Sequence, residues 1–490
     1  MKRTLLAAII AGLALASAAF SQNKKEYQVP FVSKKLQNGL EVIVLPDSSV
    51  PLVTVEMAVR NGSFTEPPEY NGLSHLFEHM FFKPSKAVHV FWCRMFVGAG
   101  RTDLYNSQGC QSYMQLGDKI GDVSYLSSFD QLGVVYNAST REEVVNYFFT
   151  TTSPNIGTAI RYINDAVRYP TFDPKELEDE KKVVIGEFDR NEANPGFKLN
   201  DALQSMLFYK YPTRKKPLGT RETVMNATPE MMRTIESRYY VPNNSALIVT
   251  GDVEPETVFS LAEKSLGSWE PRAVDPFKEF PLVEHPPLTH SSGKIVEDDL
   301  VQNVLIQIGW QGPSIGTDNA ATYAADVFSF IITQPDSKFS RAMIDSGVAV
   351  NADFSYYTQR NVGPIVFTLI TSPEKAKKAL DAAYRQVALF DDPNYFTDAE
   401  LANAKTILES RDLYDREKLS DYAHTLSFWW STTGIDYFRD YQKNLRAVNR
   451  ADINRYIDTY VQGKPHVGVA LMSSQSKAIA KITEGDLIGK

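Results

Sequence analysis

The spacing of apolar and polar positions changes along the chain, and each change marks an element. Leu36-Gln37-Asn38-Gly39-Leu40-Glu41-Val42-Ile43-Val44-Leu45 reads as an Asn-Gly turn feeding a β-strand, and alternation from Pro51 to Val59 gives a second strand. The two are expected to open the domain as a hairpin. Apolar residues at helical spacing predict helices from about Gly72 to Phe82 and from Thr158 to Val167. A further helix, from about Pro174 to Glu192, has a start signal in Asp173 as N-cap, Pro174 at the first helical position and Glu176 to close a capping box. Asn194-Pro195-Gly196 is expected to stop it. Ser245 to Gly251 reads as a strand ending in a turn, and a helix follows from about Glu254 to Leu266. Strands followed by helices imply an α+β sandwich.

Five prolines between Pro271 and Thr289 favour an extended, stiff connector. Beyond it the order of elements restarts, because a strand from Val304 to Trp310 precedes a helix from about Ala320 to Ile332, as Val53 to Val59 precedes the Gly72 helix. The expectation is two similar lobes, each an α/β sandwich with a mostly antiparallel sheet, forming a clam-like chamber. The likeness is one of element order and not of residues, so an unrelated second domain is the alternative. The predicted division is a first lobe over 27–270, a linker over 271–290 and a second lobe over 291–490.

Composition narrows the class of protein. With 490 residues, 43% of them hydrophobic and 22% charged, the chain can bury substantial cores and is neither collagen-like nor wholly disordered. A net charge of -8 with no basic run argues against a nucleic-acid partner. Two cysteines cannot staple so long a chain, which must rest on packing. At the start, Lys2 and Arg3 precede an apolar run from Leu5 to Ala16 and the small residues Ala16-Ser17-Ala18. This predicts a secretory signal over 1–20 that is cleaved, leaving an exported protein, periplasmic or secreted from a bacterium, with no membrane span. An uncleaved anchor is the other reading.

The sharpest chemical signal is His75-Leu76-Phe77-Glu78-His79, which uses two of only seven histidines. On a helix His75 and His79 lie one turn apart and point the same way, so both can coordinate one Zn²⁺, while Glu78 can reach a water at the metal. A catalytic zinc needs a third protein ligand and an open fourth position, and a carboxylate is the expected third donor. The helix from Pro174 offers Glu180 and Glu187, two turns apart on one face. One can bind the metal and the other can orient a ligand.

These residues resemble the pitrilysin/insulinase family of zinc metallopeptidases, whose reversed motif is His-x-x-Glu-His followed by Glu-x-x-x-x-x-x-Glu on a later helix. Leu36-Gln37-Asn38-Gly39-Leu40, Tyr136-Asn137-Ala138-Ser139-Thr140 and Asn244 to Asp252 match as well. The resemblance implies that His75, His79 and Glu187 bind one zinc per chain, that Glu78 is the general base and that Glu180 is an acid supporting the ligands from behind. It implies a peptidase that hydrolyses peptides or unstructured segments by zinc-activated water, with no covalent enzyme intermediate. It further implies that Asn137 and Ala138 lie on an edge strand where an extended substrate adds as a further strand. A non-catalytic scaffold or assembly subunit on the same fold is the alternative.

The chain departs from the family pattern in two places. The stretch between His79 and Glu187 is longer than usual, which predicts an insertion at about 85–126 after the metal helix. It holds Cys93 and Cys110, which either close a loop or remain as thiols. Superposing the halves sets Ala325, Phe328 and Ser329 where His75, Glu78 and His79 stand, so the second lobe is expected to hold no metal. Family members commonly contribute an Arg and a Tyr from that lobe, where this chain has Met343 and Val350. A homodimer, or a heterodimer with a related chain, is expected to supply them. His285 and His290 in the connector read as solvated loop residues, and His424 as a packed histidine.

Overall fold

The computed structural model describes residues 29–490. The expected signal over 1–20, and the start of the predicted first lobe at 27, lie outside the described residues. Two sheets organise the chain. The first contains β1 (Val32–Lys35), β2 (Glu41–Pro46), β3 (Leu52–Val59), β4 (Val135–Thr140), β5 (Val145–Thr152) and β6 (Ser245–Gly251), in the order β1-β2-β6-β3-β5-β4. The second contains β7 (Ser292–Glu297), β8 (Val304–Gln311), β9 (Asn351–Tyr356), β10 (Pro364–Thr371) and β11 (Val467–Met472), in the order β7-β11-β8-β10-β9.

From β2 onward the two orders correspond strand for strand. In each, the last strand in sequence enters the sheet interior, so that β6 runs parallel to β2 and antiparallel to β3, as β11 does to β7 and β8. The fold is therefore α+β with two similar sheet-bearing lobes. The expected opening hairpin is not formed, because β6 lies between β2 and β3. All 7 residues of β6 are buried, and a strand apolar on both faces is stable only inside a sheet.

The helices that position the site are α1 (Leu73–Phe81), α2 (Lys86–Gly98), α3 (Thr102–Ser107), α4 (Cys110–Ile120), α5 (Ile156–Arg168), α6 (Pro174–Glu192), α7 (Pro195–Leu207), α8 (Asn319–Ile332) and α9 (Leu419–Thr432). α6 begins where the cap signal stands, with the Asp173 carboxylate accepting from the backbone N–H groups of Lys175 and Glu176. The expected stop at Asn194 is also a start, since its side chain accepts from the Gly196 N–H and caps α7.

Each sheet has two apolar faces, and its own half covers only one. On the first sheet, Val53, Val55 and Met57 pack against Leu76, Phe77 and Met80 of α1, Ile160 of α5 and Val184 of α6. The opposite face, with Ile43, Ala58 and Ile248, is covered by Tyr422, Leu426 and Trp430 of α9, which belongs to the second half of the sequence. The second sheet mirrors this: α8 covers one face, and Leu199, Leu203 and Leu207 of α7 cover Val467, Val469 and Leu471 on the other. The halves thus exchange a helix.

The connector contains one short helix, Pro276–Glu279, and does not stand free in solvent. His285, expected to be solvated, is only 7% exposed and sits edge-on against Phe208 at 4.7 Å. The proline-rich segment lies along the aromatic residues that follow α7, and burial, followed by the charges of Lys215 and Arg214, lowers the His285 pKa to about 3. His290 is exposed. After α1, helices α2 to α4 build a small unit around Ala87, Val90 and Val123. Cys93 and Cys110 are joined there as a disulfide, with Cα atoms 5.5 Å apart. No helix among the described residues is long and apolar enough to cross a membrane.

Trp430 is fully buried where α9 meets the first sheet. Trp430→Ala is expected to lower the unfolding free energy by about 3–5 kcal/mol in chemical denaturation. A loss below about 1 kcal/mol would mean that α9 does not hold this face.

Candidate metal centre

The centre is built on α1. Gly72 precedes it with φ +90°, and a Cβ there would meet Leu218 O at 2.6 Å, so the entry turn admits glycine alone without distortion. The buried Glu66 carboxylate accepts from the N–H groups of Gly72 at 2.8 Å and Ser74 at 2.6 Å, which satisfies the open end of the helix. Leu76, Phe77 and Met80 turn to the core. His75, Glu78 and His79 are left on the other side.

His75 and His79 stand with ring centroids 4.8 Å apart. From α6, Glu187 Oε2 comes to 3.4 Å from His75 Nε2 and 3.9 Å from His79 Nε2. Donor atoms of the three residues all lie within 4.8 Å of one another. Two turns earlier on α6, Glu180 Oε2 lies 3.0 Å from His79 Nδ1, and its other oxygen is paired with Lys83. Glu180 therefore accepts the Nδ1 proton and leaves the Nε2 lone pair turned toward Glu187.

Glu78 reaches to the sheet edge, where Thr140 Oγ1 donates to its Oε2 at 2.6 Å. Among the described residues β4 pairs only with β5 and is the last strand of its sheet. Asn137 is exposed and Ala138 half-buried on it, and Asn137 Oδ1 accepts from the Ala138 N–H at 2.9 Å. All of these residues line one open cleft of about 500 Å³, with Phe82 and Tyr136 along its wall.

The electrostatics suit a cation. Burial, followed by the neighbouring His79, lowers the His75 pKa to about 3, so its ring is neutral and offers a lone pair. Burial raises the Glu78 pKa, against the opposing pull of Thr140 and His79. Two imidazoles and one carboxylate at these separations fit a single Zn²⁺, which takes N and O donors at about 2.0–2.2 Å. The three converge from one side, toward the cleft.

His75, Glu78, His79, Asn137, Ala138, Glu180 and Glu187, the site residues anticipated from the sequence, all line this cleft. Thr140 and Lys83 were not anticipated. Thr140 shares a strand face with Tyr136 and Ala138, and Lys83 follows His79 by one helical turn, so period-two and period-four spacing could have found both. In the second half, Ala325 and Phe328 are buried on α8, and Ser329 donates its hydroxyl to the Ala325 carbonyl at 3.0 Å. Met343 is fully buried in the core of that lobe, whereas Val350 is exposed just before β9.

Comparison with known proteins agrees with this geometry. The insulinase family (peptidase family M16) matches residues 15–90 and 118–221, and the M16 inactive domain matches 226–408. Residues 91–117, between the two matched stretches, cover most of α2 to α4. The zinc protease PqqE of Helicobacter pylori is 22% identical over 459 residues, covering 92% of this chain and 95% of that protein. A zinc protease of Rickettsia felis is 24% identical, covering 80% and 85%. Among solved structures, a protease from Helicobacter pylori superposes with a TM-score of 0.75 at 21% identity, covering 91% of this chain and 100% of that one. The periplasmic protease PqqL from Escherichia coli gives a TM-score of 0.69 at 14% identity over 94% of this chain and 50% of its own. With both family patterns matched in order and the ligand set intact, the chain belongs to the insulinase family, peptidase family M16, and is a zinc-dependent peptidase.

Proposed function

We propose that this chain is an exported endopeptidase for unstructured polypeptide segments, in which His75, His79 and Glu187 hold the zinc, Glu78 moves the proton and β4 receives the substrate as an added strand. The observation that carries the reading is the placement of Glu78 between the three converging donors and an unpaired strand edge. A zinc ion held there supplies a Lewis acid and a water acidic enough to react near neutral pH.

The protein's own groups do the rest. Glu78, buried and tied by Thr140, takes a proton from the attacking water and returns it to the leaving amine. Glu180 fixes the His79 tautomer, and Lys83 balances the Glu180 charge. The outer edge of β4 offers backbone groups to an extended peptide, so recognition rests on main-chain pairing and suits segments without structure of their own.

Export is supported by the signal pattern at the start of the sequence and by the fold shared with a periplasmic protease. The burial of Met343 supports a partner, either a second copy or a related chain, that completes the substrate-binding wall. Light scattering of the active protein is expected to report an assembly of at least two chains. A fully active monomer would remove the need for a partner.

Metal analysis is expected to find one zinc per chain, and a chelator to abolish peptide cleavage. Glu78→Gln should retain the metal and lose about 10²–10⁴-fold in kcat. Carefully handled protein without zinc would overturn the assignment. Glu180→Gln is expected to weaken zinc binding by about 10–100-fold in competition with a chromogenic chelator. Unchanged affinity would show that Glu180 does not support His79.

A further inference from the structure

The face of the first sheet opposite α1 carries a polar chain that the chemistry at the metal leaves unused. Side chains alternate along β3, and Glu56 turns to the face that α9 covers. It is 0% exposed. A carboxylate buried inside a sheet persists only when paired. Asn146 on β5 donates from Nδ2 to Glu56 Oε1 at 2.6 Å, and His424 on α9 places Nδ1 2.6 Å from Oε2. Asn146 Oδ1 accepts in turn from the Ser139 hydroxyl on β4 at 2.5 Å. The next residue, Thr140, holds Glu78.

One hydrogen-bonded chain therefore runs from a helix of the second half, through two strands, to the strand edge at the cleft. Among the described residues β4 has a neighbour on one side only, and these ties add to its pairing with β5. The geometry points to His424, Glu56 and Asn146 as positioning residues for β4, which hold the edge strand in the tilt that an added peptide needs. This rests on the proposal that substrate binds by strand addition.

Burial alone would lower the His424 pKa, but the hydrogen bond and charge of Glu56, helped by Asp421 on its own helix, outweigh burial and the repulsion of Arg141. The folded value stands above the ordinary one. The charged pair is then fully formed below the ordinary histidine pKa and is lost as pH rises through the folded value. Peptide binding should weaken over that same interval.

The test uses zinc-loaded Glu78→Gln protein and a labelled unstructured peptide, with Kd read by fluorescence anisotropy from about pH 5 to 9. His424→Gln is expected to raise Kd about 3–10-fold at the acid end and to remove its pH dependence, with zinc content unchanged. In the otherwise unaltered enzyme the same substitution should raise KM while kcat stays within about twofold. Ser139→Ala, which leaves the buried charge in place, should shift Kd in the same direction by less. Parental Kd and pH profile in both variants would overturn the proposal, even with a lower melting temperature, since that outcome is a purely structural role. A peptide with N-methylated backbone amides separates the two readings. If it binds the parent as tightly as the plain peptide, strand addition falls and the proposal with it. If it fails to bind while His424→Gln matches the parent, only the proposal falls.

Discussion

The packing of α1 and α6 on one face of the first sheet is what makes a metal centre from residues far apart in sequence. Neither helix carries a complete set of donors. α1 buries Leu76, Phe77 and Met80 and α6 buries Leu177, Val184 and Phe188, all in the same core. Those apolar contacts fix the rotation of each helix about its axis, and rotation decides whether Glu187 meets His75 and His79 or faces solvent. Desolvation then works on the assembled group: it keeps His75 neutral and raises the Glu78 pKa. Hydrophobic packing thus sets the electrostatics, and not the reverse.

Much of this was legible in the sequence because local rules decide it. The His-x-x-Glu-His spacing, the Asp173-Pro174 start and the two-turn interval from Glu180 to Glu187 each depend on a single helix. What depends on which elements meet was harder to read. The apolar run of Ser245 to Gly251 marks a strand, but nothing in it says that it parts β2 from β3. Glu56 sits in the stretch from Pro51 to Val59 that alternation marks as a strand, the strand that holds Asn146 was not read from the sequence, and His424 looks like any histidine in an aromatic stretch. Their pairing joins residues 368 positions apart. His285 misleads for a related reason: proline composition describes a local conformation, not what the segment lies against.

The second half repeats the topology of the first without its chemistry. On α8 the residues that the order of elements sets against His75, Glu78 and His79 are Ala325, Phe328 and Ser329. That helix packs into the core of its own lobe. The second half keeps its value as the source of the helix that covers the first sheet.

The exchange of α7 and α9 also has a consequence in time. The metal ligands and Glu78 are all present once residue 187 has been made, but the helix that covers the back of their sheet is drawn from Leu419–Thr432. Until then Ile43, Ala58 and Ile248 face water, and the carboxylate of Glu56 lacks its imidazole. A chain cut short before that helix carries every reactive residue on a sheet with one apolar face bare. For a protease this is a delay built into the topology: the sheet under the reactive centre is covered on both faces only once α9 has been made.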